Sequence, residues 1–210
     1  MEWHGGLLYV AGGEEDWITF NKEPALDSLH AFNEATGSWE ELPPMITPCK
    51  AAASCVIGNE LFLAGGYGPY SFEESRAFDS LQIYDIVARK WRLGAPIPEP
   101  WSRDLEVKGF VVDGKFVVIH LKGMGTDITP ATLVYDPPSD TWTLESDGPW
   151  REDFMGIRNA CVYNGRLVVF TQNGVFERAT DGSLSSCEDR WPEDRWNYVA
   201  FSVCESVLLG

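Results

Sequence analysis

The chain contains 210 residues, and its 16 Lys and Arg against 32 Asp and Glu give a formal net charge of −16 at pH 7. Such a polyanion repels nucleic-acid phosphates and anionic lipid headgroups, so we expect neither nucleic acid nor a membrane as a partner. A hydrophobic content of 44% supports a folded core, but no apolar run approaches the roughly 20 residues that cross a bilayer.

The cysteines and the first residues favour a reducing compartment. The cysteines are odd in number and show no Cys-x-x-Cys spacing: Cys49, Cys55, Cys161, Cys187 and Cys204. This usage is typical of reduced thiols. The opening Met1–His4 segment lacks the basic start and apolar stretch of a secretory signal peptide. We therefore expect a cytoplasmic or nuclear protein.

The first element in chain order is an apolar strand that ends in two glycines, Leu7–Gly13. The pattern returns as Leu61–Gly66, with its glycine pair 53 residues later. An aromatic residue and an acid or amide then precede a tryptophan by seven residues: Phe32-Asn33 before Trp39, Tyr84-Asp85 before Trp91, and Tyr135-Asp136 before Trp142. These tryptophans are 52 and 51 residues apart. A period near 50 residues is the length of one four-stranded propeller blade.

Alternating hydrophobicity places the inner strand of successive repeats at Ala51–Ile57, Leu105–Val112, Ile157–Tyr163 and Tyr198–Val203. The first three precede Gly58-Asn59, Asp113-Gly114 and Asn164-Gly165, dipeptides that tolerate the positive φ of tight hairpin turns. In the first repeat we expect only three strands, with His4 in the turn that precedes the apolar strand.

The double glycine, the aromatic-acid pair and the tryptophan resemble the kelch repeat. The resemblance implies an all-β, kelch-type β-propeller of four-stranded antiparallel blades, in one domain over residues 1–210. The implied blades are 1–48 (partial), 49–98, 103–147, 155–190 and 196–210 (partial). About four and a quarter blades make an incomplete ring, which indicates missing sequence at the N-terminus. The alternative is a four-bladed ring closed by the last inner strand.

The later repeats depart from the pattern. His120-Leu121 stands in place of the glycine pair in the third repeat. In the fourth, Phe176-Glu177 replaces the Tyr-Asp pair, and Ser183 occupies the tryptophan position.

The repeat residues are expected to be structural. Glycine pairs allow close strand packing, and the tryptophans should fill the gaps between blades. The residues with this predicted role are Gly12, Gly13, Gly65, Gly66, Trp39, Trp91, Trp142, Tyr84, Asp85, Tyr135 and Asp136.

In an up-and-down blade the long connections lie together on one side, here called the loop face. Two of them are Glu14–Ala25 and Pro43–Lys50. Aromatic residues and arginines concentrate in these connections, and such residues are enriched in interface hot spots. The alternative for each loop tryptophan is to plug a joint between blades. The predicted partner-binding residues are Trp17, Phe20, Tyr67, Tyr70, Phe72, Arg76, Trp101, Arg103, Trp150, Arg151, Trp191 and Trp196.

The same connections carry acidic runs, at Glu14–Asp16, Glu73-Glu74 and Glu188-Asp189. Acidic loops attract a basic segment and speed its encounter, while the aromatic side chains anchor it. We therefore expect the loop face to bind a protein or peptide that carries a basic segment.

We expect no enzymatic activity, cofactor or metal. The three histidines, His4, His30 and His120, fall on different repeats and do not converge. The spacing Glu23-x3-Asp27-x2-His30 is one residue short of the iron motif of the similar nitrile-specifier propellers. The paired histidines, tyrosine and cysteine of propellers that resemble galactose oxidase are absent from the sequence pattern. A metal-dependent specifier-type or oxidase-type propeller is the minor alternative.

Two passages, Trp39–Met45 and Trp196–Val203, resemble plant-type F-box/kelch proteins. The resemblance implies a propeller that selects substrates for a Skp–cullin–F-box E3 ubiquitin ligase, and hence a role in ubiquitin-dependent protein degradation. No F-box precedes the first repeat, so a Skp-type linker is expected as a partner only if an F-box lies upstream. The alternative is a kelch scaffold or binding protein unrelated to ubiquitin ligases.

Overall fold

The computed structural model describes residues 1–14, 25–68, 79–98, 107–120, 132–145, 157–171, 174–179 and 184–186. Within these ranges every regular element is a β-strand. The strands are β1 (Glu2–His4), β2 (Leu7–Ala11), β3 (Leu29–Asn33), β4 (Ser38–Leu42), β5 (Ala53–Ile57), β6 (Glu60–Ala64), β7 (Leu81–Asp85), β8 (Lys90–Leu93), β9 (Val107–Val112), β10 (Lys115–His120), β11 (Thr132–Asp136), β12 (Thr141–Glu145), β13 (Ile157–Tyr163), β14 (Arg166–Thr171), β15 (Gly174–Arg178) and β16 (Leu184–Ser186).

The strands form four sheets in which neighbours in sequence are also neighbours in the sheet. Sheet I contains β1 to β4, sheet II β5 to β8, sheet III β9 to β12 and sheet IV β13 to β16. The predicted all-β architecture of four-stranded sheets is therefore confirmed. Among the described residues, no helix is long and apolar enough to span a membrane.

The chain divides into two compact units. The first unit comprises Met1–Arg103 with Tyr135–Trp142, and the second comprises Asp104–Val134 with Thr143–Gly210. Each unit has its own core. In the first, Tyr9, Leu29, Leu61 and Tyr84 are among the residues that pack together. In the second, apolar side chains of β9, β10, β13 and β14 do so, including Val117, Leu167 and Val169.

Sheet I contains one strand more than the sequence indicated. Residues Glu2–His4 form β1 and pair antiparallel with β2, with Glu2 opposite Tyr9 and His4 opposite Leu7. His4 therefore belongs to the strand, and the turn is Gly5-Gly6, with φ values of 59° and 78°. A strand of three residues is too short to show the alternation that strand prediction relies on.

The tight turns lie where the dipeptides predicted them. Gly58, Asp113-Gly114 and Asn164-Gly165 all have positive φ, between 50° and 72°. The inner strand of sheet II begins at Ala53 rather than Ala51, because Ala51 has a φ of 57°, which breaks the extended backbone. Strand β9 begins at Val107, β13 spans the predicted Ile157–Tyr163, and the predicted strand Tyr198–Val203 lies outside the described residues.

The strand register of sheet IV shows that the residue equivalent to the repeat tyrosine differs from the one indicated by the sequence. In sheet II, Leu61 pairs with Tyr84. In sheet IV the residue at the same distance from the turn, Leu167, pairs with Arg178. The position of the repeat tyrosine is therefore taken by Arg178, and Phe176-Glu177 lies two residues earlier. The sequence pattern indicates Phe176-Glu177 because it requires an aromatic residue followed by an acid, and Arg178 is not aromatic.

Candidate functional site

The first glycine pair of the repeat sits against the connection that follows β4. A Cβ on Gly12 would lie 2.0 Å from the carbonyl oxygen of Cys49, and its φ is +63°. The Gly13 N–H donates to the same oxygen at 3.1 Å. In the next repeat, a Cβ on Gly66 would lie 2.7 Å from the Lys50 oxygen. Any larger residue at Gly12 would displace this connection.

The acid or amide of the aromatic-acid pair organises the turn that follows it. Oδ1 of Asn33 accepts from the N–H groups of Ala35 at 2.9 Å and Thr36 at 3.3 Å. Oδ1 of Asp85 accepts from the N–H groups of Val87 and Ala88, at 2.9 and 2.7 Å. This is the Asx-turn geometry that favours Asn and Asp at this position.

The aromatic residue of each pair packs against the tryptophan of the next strand. The ring centroids are 5.1 Å apart for Phe32 and Trp39 and 5.0 Å for Tyr84 and Trp91. For Tyr135 and Trp142 the distance is again 5.1 Å. The repeat therefore places the same ring pair on three successive sheets.

Two of the three tryptophans also bind a main-chain carbonyl about one repeat earlier. The indole Nε1–H of Trp91 donates to the Pro43 oxygen at 2.8 Å, and that of Trp142 to the Ala95 oxygen at 2.9 Å. We call the contacts of Trp91 with Pro43 the first joint and those of Trp142 with Ala95 the second joint. Trp39 differs from the expectation that it fills a gap between blades, because it is 57% exposed.

The second joint contains a further set of hydrogen bonds. Oδ1 of Asp140 accepts from the Tyr135 hydroxyl at 2.6 Å and from the Ala95 N–H at 2.8 Å. These two donors lower the pKa of Asp140. Burial, followed by the hydrogen bond to Asp140, raises the pKa of Tyr135. Both polar groups of the Ala95 main chain are thus bonded to the next repeat.

The first joint has a different set of partners. Arg89 stands at the position of Asp140 in its turn, with a φ of 55° against 50° for Asp140, and forms an ion pair with Glu40. The hydroxyl of Tyr84 is buried and has no hydrogen-bond partner among the described residues.

The connection between β4 and β5, Pro43–Lys50, belongs to the predicted loop face. The buried amide of Gln82 holds it in the middle, since Oε1 accepts from the Thr47 N–H and Nε2 donates to the Thr47 oxygen, both at 2.9 Å. At its end, the main chain of Lys50 exchanges hydrogen bonds of 3.0 and 2.8 Å with Tyr67. The Lys50 ammonium also pairs with Glu14 at 2.5 Å. These contacts fix the connection to its neighbours on both sides.

A pocket of about 200 Å³ opens beside this connection, between sheets I and II. Its lining residues are Met1, Glu2, Tyr9, Ala11, Gly13, Cys49, Ala51, Ala52, Ser54, Leu61 and Leu63. Oε1 of Glu2 accepts from the Ser54 hydroxyl at 2.6 Å. Burial raises the pKa of Glu2 against the lowering effects of Ser54 and the nearby amino terminus.

Of the predicted partner-binding residues, Tyr67 lies in the described part of the chain, where its main chain bonds Lys50. The others lie outside the described residues: Trp17, Phe20, Tyr70, Phe72, Arg76, Trp101, Arg103, Trp150, Arg151, Trp191 and Trp196.

The sequence did not single out the residues that build the described part of the loop face. Gln82 could have been noticed as the one amide inside the apolar run Leu81–Tyr84. Glu2 and Ser54 carry no comparable signal, because 52 residues separate them. Their contact depends on how two sheets pack.

The described residues contain no group of three or more His, Cys, Asp or Glu side chains placed to hold a metal ion. His30 packs edge-on against Trp39, with ring centroids 6.5 Å apart, while Glu23 lies outside the described residues. Burial raises the pKa of the Cys49 thiol to about 11 and also raises those of Cys55 and Cys161. These three cysteines stay protonated at neutral pH, as expected for core residues.

Two comparisons with known proteins, one of sequence motifs and one of structure, agree with this fold. The family profile described as the kelch motif matches residues 4–46 and 48–98. A solved structure of YjhT has a TM-score of 0.63 at 15% identity, and the match covers 86% of this chain and 62% of that one. The chain therefore carries kelch motifs and has the fold of a kelch-type β-propeller, as the resemblance implied.

Curated proteins of more than one kind are similar to this chain. Kelch-like ECH-associated protein 1A of Danio rerio is 30% identical over 113 residues, which are 54% of this chain and 17% of that protein. An F-box/kelch-repeat protein of Arabidopsis thaliana is 24% identical over 176 residues, 81% of this chain and 46% of that protein. The chain thus spans less than half the length of both relatives.

Proposed function

We propose that this chain recognises a protein through its loop face and is the substrate-selecting propeller of an F-box/kelch adaptor. In that role it would deliver bound proteins to a Skp–cullin–F-box E3 ubiquitin ligase, with the Skp-type linker held by an F-box upstream. The observation that carries the recognition part is the fixed loop connection Pro43–Lys50. The similarity to an F-box/kelch-repeat protein over most of the chain supports the adaptor part.

A connection held in this way is suited to binding. Ordering a mobile loop on association costs free energy. That cost is reduced here, because Gln82, Tyr67 and Glu14 already hold the main chain or the side chains of the connection. Ile46 lies within it and is 50% exposed. An apolar side chain presented on a fixed loop is a suitable anchor for a partner.

The charge of the chain supports a partner with a basic segment. The net charge is −16, and the one lysine of the Pro43–Lys50 connection is paired with Glu14. A positively charged segment of the partner would therefore meet little electrostatic repulsion at this connection. Association should slow as salt rises from about 50 to 300 mM, because screening weakens attraction before contact.

The proposal includes no catalysis and no cofactor, and it places the protein in the cytoplasm or the nucleus. The high pKa values of the buried thiols support the non-enzymatic part, since the thiolate is the nucleophilic form.

The test is affinity purification of the protein expressed from its native coding sequence. Co-purification of a Skp-type linker and a cullin is expected, together with substrate proteins that accumulate when the proteasome is inhibited. Replacing Ile46 by Asp should abolish substrate capture while the linker and cullin remain. The matched control is Val87→Asp, because Val87 is 74% exposed on the turn between β7 and β8, at the opposite end of its sheet, and this change should preserve capture.

A second candidate function is a kelch binding protein unrelated to Skp-type ligases. It is favoured by the similarity to Kelch-like ECH-associated protein 1A, whose name carries no F-box. Capture of a partner that depends on Ile46, with no Skp-type linker or cullin, would contradict the adaptor role and support this candidate.

A further inference from the structure

We propose that the pocket between sheets I and II receives one basic side chain, an arginine or a lysine, from the protein that binds the loop face. The inference rests on the proposed recognition function and adds the chemistry of the partner. It assigns Glu2 as the residue that meets the cation.

The position of the pocket connects it to the loop face. Met1 and Glu2 precede the turn that joins β1 to β2, so they lie at the end of β1 opposite that turn. Gly13, Cys49 and Ala51 belong to the long connections at the same end of their sheets. The pocket and the Pro43–Lys50 connection therefore lie at the same end of sheets I and II, where one partner could contact both.

The size of the pocket favours a side chain over a larger ligand. Its volume is about 200 Å³, whereas pockets for drug-sized molecules usually measure about 300–1,000 Å³. A cofactor of ordinary size would not be enclosed. One long side chain, which leaves its main chain at the opening, matches this volume.

Glu2 is the one carboxylate among the lining residues of the pocket, and the amino terminus is a positive charge near it. Glu2 accepts one hydrogen bond, from Ser54 at 2.6 Å, and no lysine or arginine side chain pairs with it in the described part of the chain. Burial of a carboxylate without a paired cation is unfavourable. A guanidinium or ammonium group from outside would remove that penalty and form charge-assisted hydrogen bonds.

The walls suit the aliphatic part of the same side chain. Tyr9, Leu61 and Leu63 line the pocket and belong to the core of the first unit. Lysine and arginine both pack their methylene stems along apolar surface while the charged end reaches a polar group. The pocket combines such a surface with a carboxylate at the loop-face end.

The test uses a displayed library of short random peptides selected on the full chain. Wild-type protein should enrich peptides with arginine or lysine at one fixed position. The Glu2→Gln variant should lose that preference, and the Glu2→Lys variant should favour aspartate or glutamate there. The matched control is Glu34→Gln, because Glu34 is exposed in the turn between β3 and β4, away from the pocket, and this change should leave the selection unaltered.

A double-mutant cycle on the best peptide completes the test. Changing its basic residue to glutamine should weaken binding to wild type by about tenfold, equivalent to 1.4 kcal/mol, and should have no further effect on Glu2→Gln. Near-ultraviolet circular dichroism and the urea midpoint of the variant check that the fold is intact.

Absence of a basic preference, or additive losses in the cycle, would overturn the inference. If peptide binding still depends on Ile46 in that case, loop-face recognition stands without it. The adaptor role is judged separately, by co-purification of the Skp-type linker.

Discussion

The first and second joints share one hydrogen bond and differ in another. In both, a tryptophan indole donates to a main-chain carbonyl, 48 residues earlier in the first and 47 in the second. In the second, the N–H of the same earlier residue, Ala95, also bonds to Asp140. The first joint has no counterpart, because the residue at that position is Pro43, and proline has no N–H.

Other residues of the two joints differ as well. Where Ala95 presents an N–H, the turn residue is an acceptor, Asp140, which also satisfies the Tyr135 hydroxyl. Where Pro43 presents none, that residue is Arg89, which reaches Glu40 instead. The Tyr84 hydroxyl then has no partner among the described residues. The presence or absence of one main-chain N–H therefore coincides with a different residue at the turn position and a different set of hydrogen bonds.

In the second unit, consecutive sheets III and IV are connected by an ion pair between Arg178 and Glu145. Arg178 occupies the tyrosine position and is 7% exposed. Its Nε donates to Oε2 of Glu145 on β12 at 3.1 Å, and its Nη2 donates to the same oxygen. We call this pair the third joint. It is an ion pair with a buried arginine in place of an indole–carbonyl hydrogen bond, so it should respond most strongly to removal of one partner.

The largest effect is expected for Arg178→Met. The change removes both hydrogen bonds that the buried guanidinium donates to Glu145, whose side chain is 27% exposed. Hydrogen bonds to charged groups contribute about 1.5–3 kcal/mol each. Urea denaturation followed by far-ultraviolet circular dichroism should show a clear fall in the unfolding midpoint. The control is Arg89→Met, because both side chains of the Arg89–Glu40 ion pair are more than half exposed. Equal shifts in the two variants would show that Arg178 does not act through burial.

An intermediate effect is expected for Asp140→Gly. Glycine suits the positive φ of this position and removes the acceptor shared by the Tyr135 hydroxyl and the Ala95 N–H, at a cost of about 2 kcal/mol. Arg89→Gly makes the same change at the same turn position of the first joint. It should move the urea midpoint far less, because the Arg89–Glu40 pair is exposed.

The pH dependence of Asp140→Gly provides a second check. The folded-state pKa of Asp140 is lowered from its ordinary value of 3.8. Its stabilising contribution is therefore present above pH 3.8 and is lost as the pH falls through the lower folded value. The stability gap between wild type and Asp140→Gly should narrow on acidification. A gap that widens would contradict the assignment.

The smallest loss of stability is expected from removing the indole–carbonyl hydrogen bond that both joints share. Trp91→Phe and Trp142→Phe keep an aromatic ring but remove the indole donor, so each should cost about 1 kcal/mol. Trp39→Phe should change stability little, because Trp39 is 57% exposed. Chemical denaturation monitored by circular dichroism compares the three. A cost for Trp39→Phe as large as the others would mean that this indole also has an acceptor.

The features predicted from the sequence are those that repeat within a single sheet. Strand alternation, the glycine-containing turns and the 50-residue period depend on nearby residues, so the order of the strands followed from them. The Tyr-to-Arg178 exchange was missed because it breaks the pattern that located the repeat. Register, rather than residue type, identifies Arg178 as the equivalent position.

The loop face was predicted from the lengths of the connections, but the residues that fix it were not. Gln82 lies 35 residues from Thr47, which it holds, and Glu2 lies 52 residues from Ser54. Lys50 contributes mainly through its main chain, which every residue has. Contacts of this kind arise from packing between sheets and leave no local pattern in a single sequence.

The direction of the indole bonds has a consequence for how the protein is made. Each acceptor carbonyl precedes its tryptophan by 47 or 48 residues, so it leaves the ribosome first. At about 5–20 residues per second, the tryptophan follows after roughly 2–10 seconds. The acceptor of each joint in the first unit is therefore already synthesised when its tryptophan is translated.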